Sequence, residues 1–259
     1  MKPIDLSDQP FFRPITETGH PDALLCLPYA GTGSAIFSGW RDTPLKNAEI
    51  IMVTLPGRDA RLSQPAIDNI DTLVDQIATA LLDSDLRGRT VSILGCSFGA
   101  LVGFELARQL RRRDHPVHHL VAAASRSPHN TRVTEPIASL PDDEMVERLT
   151  TWYAALPPEI LENESMRDAL LPTVRADMHL YENYRYTDDT PLPCPITAIG
   201  ASDDPIVTIA DLTGWKQHTT APFTSRQFAG DHFFMRSAFK SPLKLIDRKL
   251  GQTNQTPKG

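Results

Sequence analysis

A serine hydroxyl becomes a useful nucleophile only when a base takes its proton, and the backbone around it must present it to substrate. Ser97 has the setting for that chemistry. It is the centre of Gly95-Cys96-Ser97-Phe98-Gly99, a Gly-x-Ser-x-Gly pattern. The pattern alone is of limited specificity, and its context decides. An apolar run, residues 91–94, precedes it, and a helical pattern starting near Phe98 follows. That is a strand-turn-helix elbow, in which Gly95 and Gly99 let strand and helix approach around a strained serine.

On such an elbow an acid and then a histidine should follow the serine in chain order. Of the eight histidines, His20 precedes the first strand. His115, His118, His119, His129 and His179 lie just after the elbow helix or in a segment without strand runs. His218 follows Trp215-Lys216-Gln217 on a predicted helix and reads as a surface residue. His232, in Gly230-Asp231-His232-Phe233-Phe234 just after the last strand run, is the candidate base. The acid should follow the run at 196–199, where Asp203 and Asp204 stand side by side before Pro205. Either could hold the imidazole tautomer, and spacing does not choose between them. An oxyanion hole needs two backbone N–H groups. One should be that of Phe98, the other should come from the glycine-containing loop Leu27-Pro28-Tyr29-Ala30-Gly31-Thr32-Gly33.

These residues need a scaffold, and the hydrophobic pattern supplies one. Apolar runs at 23–27, 49–55, 91–94, 120–124, 196–199 and 224–228 are mostly continuous rather than alternating, as in strands covered on both faces. Residues 70–82 and 98–113 read as helices, the first with Asp68 or Asn69 as its cap, the second ending in three arginines. The alternation predicts an α/β protein with a mostly parallel sheet and helices on both faces. Between 130 and 192 the pattern becomes helical, with candidates at 142–155 and 165–181 and a break or kink at Pro172. This segment is predicted to be a helical lid inserted over the sheet's functional end, within one domain spanning 1–259.

Composition sets the outer limits. The 259 residues are 41% hydrophobic and 22% charged, with net charge −6. There is no basic excess to suggest nucleic acid. No apolar stretch approaches the ~18 residues that a membrane span needs. The N-terminal stretch does not read as a signal peptide, so a cytoplasmic location is expected. Cys26, Cys96 and Cys194 share no close spacing, which argues against a zinc cluster or a disulfide framework.

The motifs together resemble the type II thioesterases that accompany non-ribosomal peptide and polyketide synthases, which have the α/β-hydrolase fold. The likeness runs from about Leu24 to Phe234. Leu27-Pro28-Tyr29-Ala30-Gly31 resembles the family's oxyanion loop. Leu55-Pro56-Gly57-Arg58-Asp59-Ala60-Arg61 resembles its Pro-Gly-Arg segment. Leu156-Pro157-Pro158-Glu159 and Leu171-Pro172-Thr173-Val174-Arg175-Ala176-Asp177 resemble its lid helices, and Glu182-Asn183-Tyr184-Arg185-Tyr186 its exit from the lid. The family's aspartate directly precedes a proline, so the resemblance implies Asp204 as the acid. It also implies Ala30 and Phe98 as the oxyanion donors, with Ser97 and His232 completing the site. Tyr29 and Cys96 stand where the family often has histidine, and Phe98 where it usually has methionine. None of these departures removes a catalytic group, but Phe98 bears on the acyl pocket.

What the resemblance implies is hydrolysis of an acyl thioester carried on the phosphopantetheine arm of an acyl or peptidyl carrier protein. The usual role is editing of stalled or aberrant chains. Hydrolytic release of a finished product and a small-molecule carboxylesterase are the alternatives. No metal or redox cofactor is required. Arg58, Arg61, Arg126 and Arg132, near predicted C-terminal strand ends, are candidate contacts to the carrier or the pantetheine phosphate, set against a role as plain surface arginines.

Overall fold

The strands form where apolar residues can be buried on both faces at once. In β2 (Asp22–Leu27) Ala23, Leu25 and Leu27 point into one core, Leu24 and Cys26 into the other. Each of these five residues is fully buried, which explains a run with no polar alternation. The computed structural model describes residues 11–131, 135–153 and 163–254. The remaining strands are β1 (Phe12–Pro14), β3 (Glu49–Val53), β4 (Thr90–Cys96), β5 (Leu120–Ala123), β6 (Ile196–Ala201) and β7 (Phe223–Phe228). They make one seven-stranded sheet of order β1-β3-β2-β4-β5-β6-β7. All neighbours pair in parallel except β1, which runs antiparallel to β3.

All six predicted strands are present. The edge strand β1 is additional. It is three residues long and ends in Pro14, so it offers neither an apolar run nor an alternation to read.

Helices cover both faces, as expected. On one side α1 (Ile70–Leu82) and α2 (Phe98–Arg112) pack Leu73, Ile77, Leu81, Val102 and Leu106 against the sheet. The Asn69 side chain caps α1 by accepting from Thr72 N–H at 2.9 Å. On the other side lie a 3-10 segment, Ser34–Trp40, and two helices, α6 (Phe234–Ser237) and α7 (Lys240–Asn254). A short helix, α5 (Ile209–Thr213), packs between β6 and β7. No helix among the described residues is long and apolar enough to cross a membrane.

The segment between β5 and β6 holds α3 (Asp142–Tyr153) and α4 (Glu164–Asn183). A separate apolar cluster joins them through Met145, Leu149, Leu171, Val174 and Met178, with Ala30 of the β2 loop packed against it. The match to Leu156-Pro157-Pro158-Glu159 lies outside the described residues. Of the break or kink expected at Pro172, the break does not occur: α4 runs through it as one helix. Contacts on both sides hold it: Leu171 and Val174 are buried, and Thr173 Oγ1 donates to Gly57 O at 2.8 Å. These offset the hydrogen bond that proline removes.

His218 is not a surface residue. It closes a 3-10 segment, Gly214–His218, and is only 3% exposed. With three residues per turn, Trp215 and His218 project from the same side, and that side is buried. The His218 ring packs against Phe104 and Tyr186 at centroid distances of 5.0 and 5.2 Å. Its Nε2 lies 2.9 Å from His129 Nδ1, so one ring donates its N–H to the other. Burial, reinforced by His129 and Arg108, pushes the His218 pKa down to about 4. Burial likewise pushes His119 down to about 3, where its two ring nitrogens meet the Thr197 and Thr253 hydroxyls.

Both histidines therefore fold neutral, while the unfolded chain protonates them near pH 6.5. Below that pH the unfolded state binds more protons, and stability falls as pH drops toward the folded-state values. Urea titrations at pH 7 and pH 5 should show a loss of about 2 kcal/mol for each of the two. His218→Phe should remove its share of the pH dependence; an unchanged slope would contradict this account.

Candidate active site

Ser97 stands between β4 and α2 with φ +53° and ψ −113°, a backbone conformation that costs a non-glycine residue on the order of 1–3 kcal/mol. It persists because its surroundings leave no alternative. Its N–H donates to Ala123 O of β5 at 2.8 Å, and its carbonyl accepts from Ala100 N–H at 2.9 Å. A Cβ on Gly95 would lie 2.1 Å from Gly99 O, and one on Gly99 would lie 2.4 Å from Pro28 O. The elbow thus brings β4, the start of α2 and the end of β2 closer together than any side chain permits. It also sets the loop after β2 beside the N-terminus of α2.

The other two groups arrive from the C-terminal ends of β6 and β7. Their loops are tied together, with Ser202 N–H donating to Phe228 O at 2.8 Å and Asp203 N–H to Gly230 O at 3.0 Å. The choice between the adjacent aspartates is visible in the geometry. Asp204 Oδ2 is 2.8 Å from His232 Nδ1, whereas Asp203 Oδ1 accepts from its neighbour Ser202 Oγ at 3.2 Å. Pro205 has no N–H, and the next two amides turn back: Asp204 Oδ1 accepts from Ile206 at 2.8 Å and Val207 at 3.1 Å. His232 Nε2 lies 3.1 Å from Ser97 Oγ.

The side chains of His232 and Asp204 are 4% and 0% exposed. Burial pushes the Asp204 carboxyl up. The His232 hydrogen bond and charge, with the two amides, outweigh it and hold the group below the usual carboxylate range. An ionised carboxylate only accepts, so Nδ1 carries the imidazole proton and Nε2 faces the serine with its lone pair. Cys96, beside the serine, does not compete, because burial pushes its thiol far above neutrality.

Tyr29, on the β2 loop, contacts the candidate base. Its hydroxyl donates to His232 O at 3.0 Å, and its ring meets that of His232 edge-on at 5.6 Å. Sequence reasoning did not single this contact out, because no spacing rule links residues 203 positions apart.

Ser97, His232, Ala30 and Phe98 share one cavity of about 60 Å³. Leu149 of α3 and Val174, Met178 and Tyr181 of α4 supply much of the remaining wall. Phe98 is the first residue of α2, where an amide has no carbonyl of its own helix to bond. The arrangement can deprotonate a serine during attack on a carbonyl and receive the resulting oxyanion. Among the described residues no group of three or more His, Cys, Asp or Glu side chains is placed to hold a metal ion.

Two of the proposed contact arginines are not available to a partner. Arg58 is 6% exposed and Arg61 5%. Arg58 pairs with Asp177, and Arg61 stacks on the Phe11 ring and donates to Thr54 O. Arg126 remains partly exposed and donates to Ile206 O at 3.1 Å, while Arg132 lies outside the described residues.

The sheet order and the Ser97–His232–Asp204 arrangement define a serine hydrolase of the α/β-hydrolase class. The Thioesterase domain profile matches residues 22–250, and the chain belongs to that family. It is 36% identical to the linear gramicidin dehydrogenase LgrE of Brevibacillus parabrevis, over 88% of this chain and 87% of that one. It is similar in structure to RedJ, a thioesterase from the prodiginine pathway of Streptomyces coelicolor, with TM-score 0.83 and 32% identity over 89% of this chain and 91% of that one. The likeness to YbtT, a type II thioesterase from the yersiniabactin pathway, has the same TM-score at 26% identity, over 94% and 99% of the two chains.

Because the elbow tolerates no added carbon, Gly99→Ala should destabilise the fold by about 2–3 kcal/mol, in line with overpacked cores. In a thermal melt that corresponds to a drop of roughly 4–6 °C. A melt within 1 °C of wild type would show that the contact at Pro28 is softer than the geometry states.

Proposed function

We propose that the protein hydrolyses acyl groups from the phosphopantetheine arm of acyl or peptidyl carrier proteins in the cytoplasm, clearing stalled or aberrant chains from a polyketide or non-ribosomal peptide assembly line. The observation that supports it best is the continuous hydrogen-bonded path Asp204–His232–Ser97 opening into a small apolar cavity walled by α3 and α4. In this reading residues 130–192 act as a lid.

Ser97 Oγ attacks the thioester carbonyl while His232 Nε2 takes its proton. The N–H groups of Ala30 and Phe98 receive the oxyanion, and Asp204 stabilises the imidazolium. Collapse of the tetrahedral intermediate breaks the C–S bond; His232 returns its proton to the thiol, a leaving group that needs little help. Water, deprotonated by His232, then releases the acid and restores the serine.

The name of LgrE speaks of dehydrogenation, and this chain's own residues argue against carrying that over. Its first glycine loop reads Gly31-Thr32-Gly33-Ser34-Ala35-Ile36, without the third small residue of a dinucleotide fingerprint. The anion position at the following short helix is taken by Asp59, which accepts from Ser34 N–H at 2.8 Å and Ser34 Oγ at 3.0 Å.

The test compares one short acyl group on a holo-carrier with the same group as a small oxygen ester. The carrier thioester should be turned over with the higher kcat/KM, and Ser97→Ala should lose at least about a thousand-fold. Asp204→Asn should lose about ten-thousand-fold through the wrong tautomer, while Asp203→Asn stays within a few-fold of wild type. Preference for the oxygen ester would support the carboxylesterase reading instead.

A further inference from the structure

The mechanism leaves one buried ion pair unused. Asp177 on α4 and Arg58 on the loop after β3 meet through two parallel bonds of 2.8 Å, with side chains 2% and 7% exposed. Replacing such a pair with apolar residues is often neutral or stabilising, so stability alone is a weak reason for its presence.

Apart from a bond from Arg58 Nε to Pro56 O at 3.4 Å within its own loop, the pair's other bonds lead to the loop that carries Ala30. Asp177 Oδ2 also accepts the N–H of Gly31 at 2.7 Å. Arg58 Nη1 donates to Thr32 O at 3.2 Å. Thr32 in turn donates twice to Tyr29 O, from its N–H at 3.2 Å and its hydroxyl at 2.9 Å. Tyr29 C=O and Ala30 N–H belong to one rigid peptide plane and point in opposite directions. Holding the carbonyl therefore aims the N–H. The next plane is held as well, through Gly31, whose φ is +67° and whose added Cβ would lie 2.2 Å from Val174 Cγ2.

We infer that the Arg58–Asp177 pair is a positioning device for the oxyanion hole, fixing the direction of the Ala30 N–H through the loop that carries it. This rests on the assignment of Ser97 and Ala30 in the proposed mechanism. Neither Arg58 nor Asp177 needs to touch substrate. Thr173, which also ties α4 to the β3 loop through Gly57 O, serves as an internal control. It anchors the helix but has no bond to the loop of Ala30.

The experiment measures kcat and KM for a short acyl thioester together with the affinity of a short alkyl boronic acid, which forms a tetrahedral adduct on a nucleophilic serine. Removing an oxyanion donor outright costs about 10²–10³ in kcat, which bounds the effect of misaiming one. Asp177→Asn and Arg58→Lys should each lose roughly ten-fold or more in kcat and lose boronic acid affinity by a similar factor, with KM within three-fold. Thr173→Ala should lower the melting temperature while kcat and boronic acid affinity stay within three-fold. If Asp177→Asn does not fold, Arg58→Lys carries the test. Folded variants that keep kcat and boronic acid affinity, or a Thr173→Ala protein with the same losses, would overturn the inference while leaving the mechanism standing. A Ser97→Ala protein that kept wild-type turnover would overturn both.

Discussion

The close approach of β4, α2 and β2 at Ser97 is the constraint from which the rest of the site follows. Gly95 and Gly99 admit no Cβ, because backbone atoms of α2 and of residues 27–28 already occupy that space. This crowding holds Ser97 at positive φ and lifts its hydroxyl off the end of the sheet. It also lays the loop after β2 against the first turn of α2, so that Ala30 and Phe98 border one cavity with the serine. Ser97 and the two proposed oxyanion donors, on separate elements, become neighbours through one steric fact.

Buried charge is handled by pairing. Asp204 is fully enclosed, yet remains ionised because His232 and two amides face it. The loops that carry Asp204 and His232 are also joined backbone to backbone, which fixes the two residues relative to each other. Asp177 is equally enclosed and is satisfied by Arg58 and the Gly31 amide. One carboxylate orients the base and the other orients the loop beside it. Tyr29 connects the two sets, since its hydroxyl reaches His232 O and its carbonyl is held by Thr32.

Much of this was legible in the sequence. The strands were readable because residues such as Leu24, Leu25 and Cys26 are apolar on both faces of the sheet. Gly95 and Gly99 marked the elbow, and His232 was singled out by following the last strand. Spacing could not separate Asp203 from Asp204, because adjacent residues differ only in which way a turn aims them. The amides beyond Pro205 make that choice, and the resemblance had pointed to the same residue. His218 was misread because it follows the polar Lys216 and Gln217, while the residues that bury it, Phe104, His129 and Tyr186, are distant in sequence. The helix continues through Pro172 because of the contacts that Leu171, Thr173 and Val174 make, which local propensity does not register. Arg58 looked like a surface charge because its partner lies 119 residues away. The one local hint was Asp177 itself, an acidic residue on the same helix face as Val174 and Met178.

The central claim is that the acyl group passes through Ser97. The most direct measurement mixes the enzyme with an acylated holo-carrier, quenches on the millisecond scale and weighs the enzyme and its peptides. The account predicts a transient species heavier by one acyl group less a hydrogen, located on the peptide containing Ser97, decaying as free acid appears and missing in Ser97→Ala. Deacylation of the carrier at full rate with no adduct on that peptide, and with Ser97→Ala still active, would contradict it.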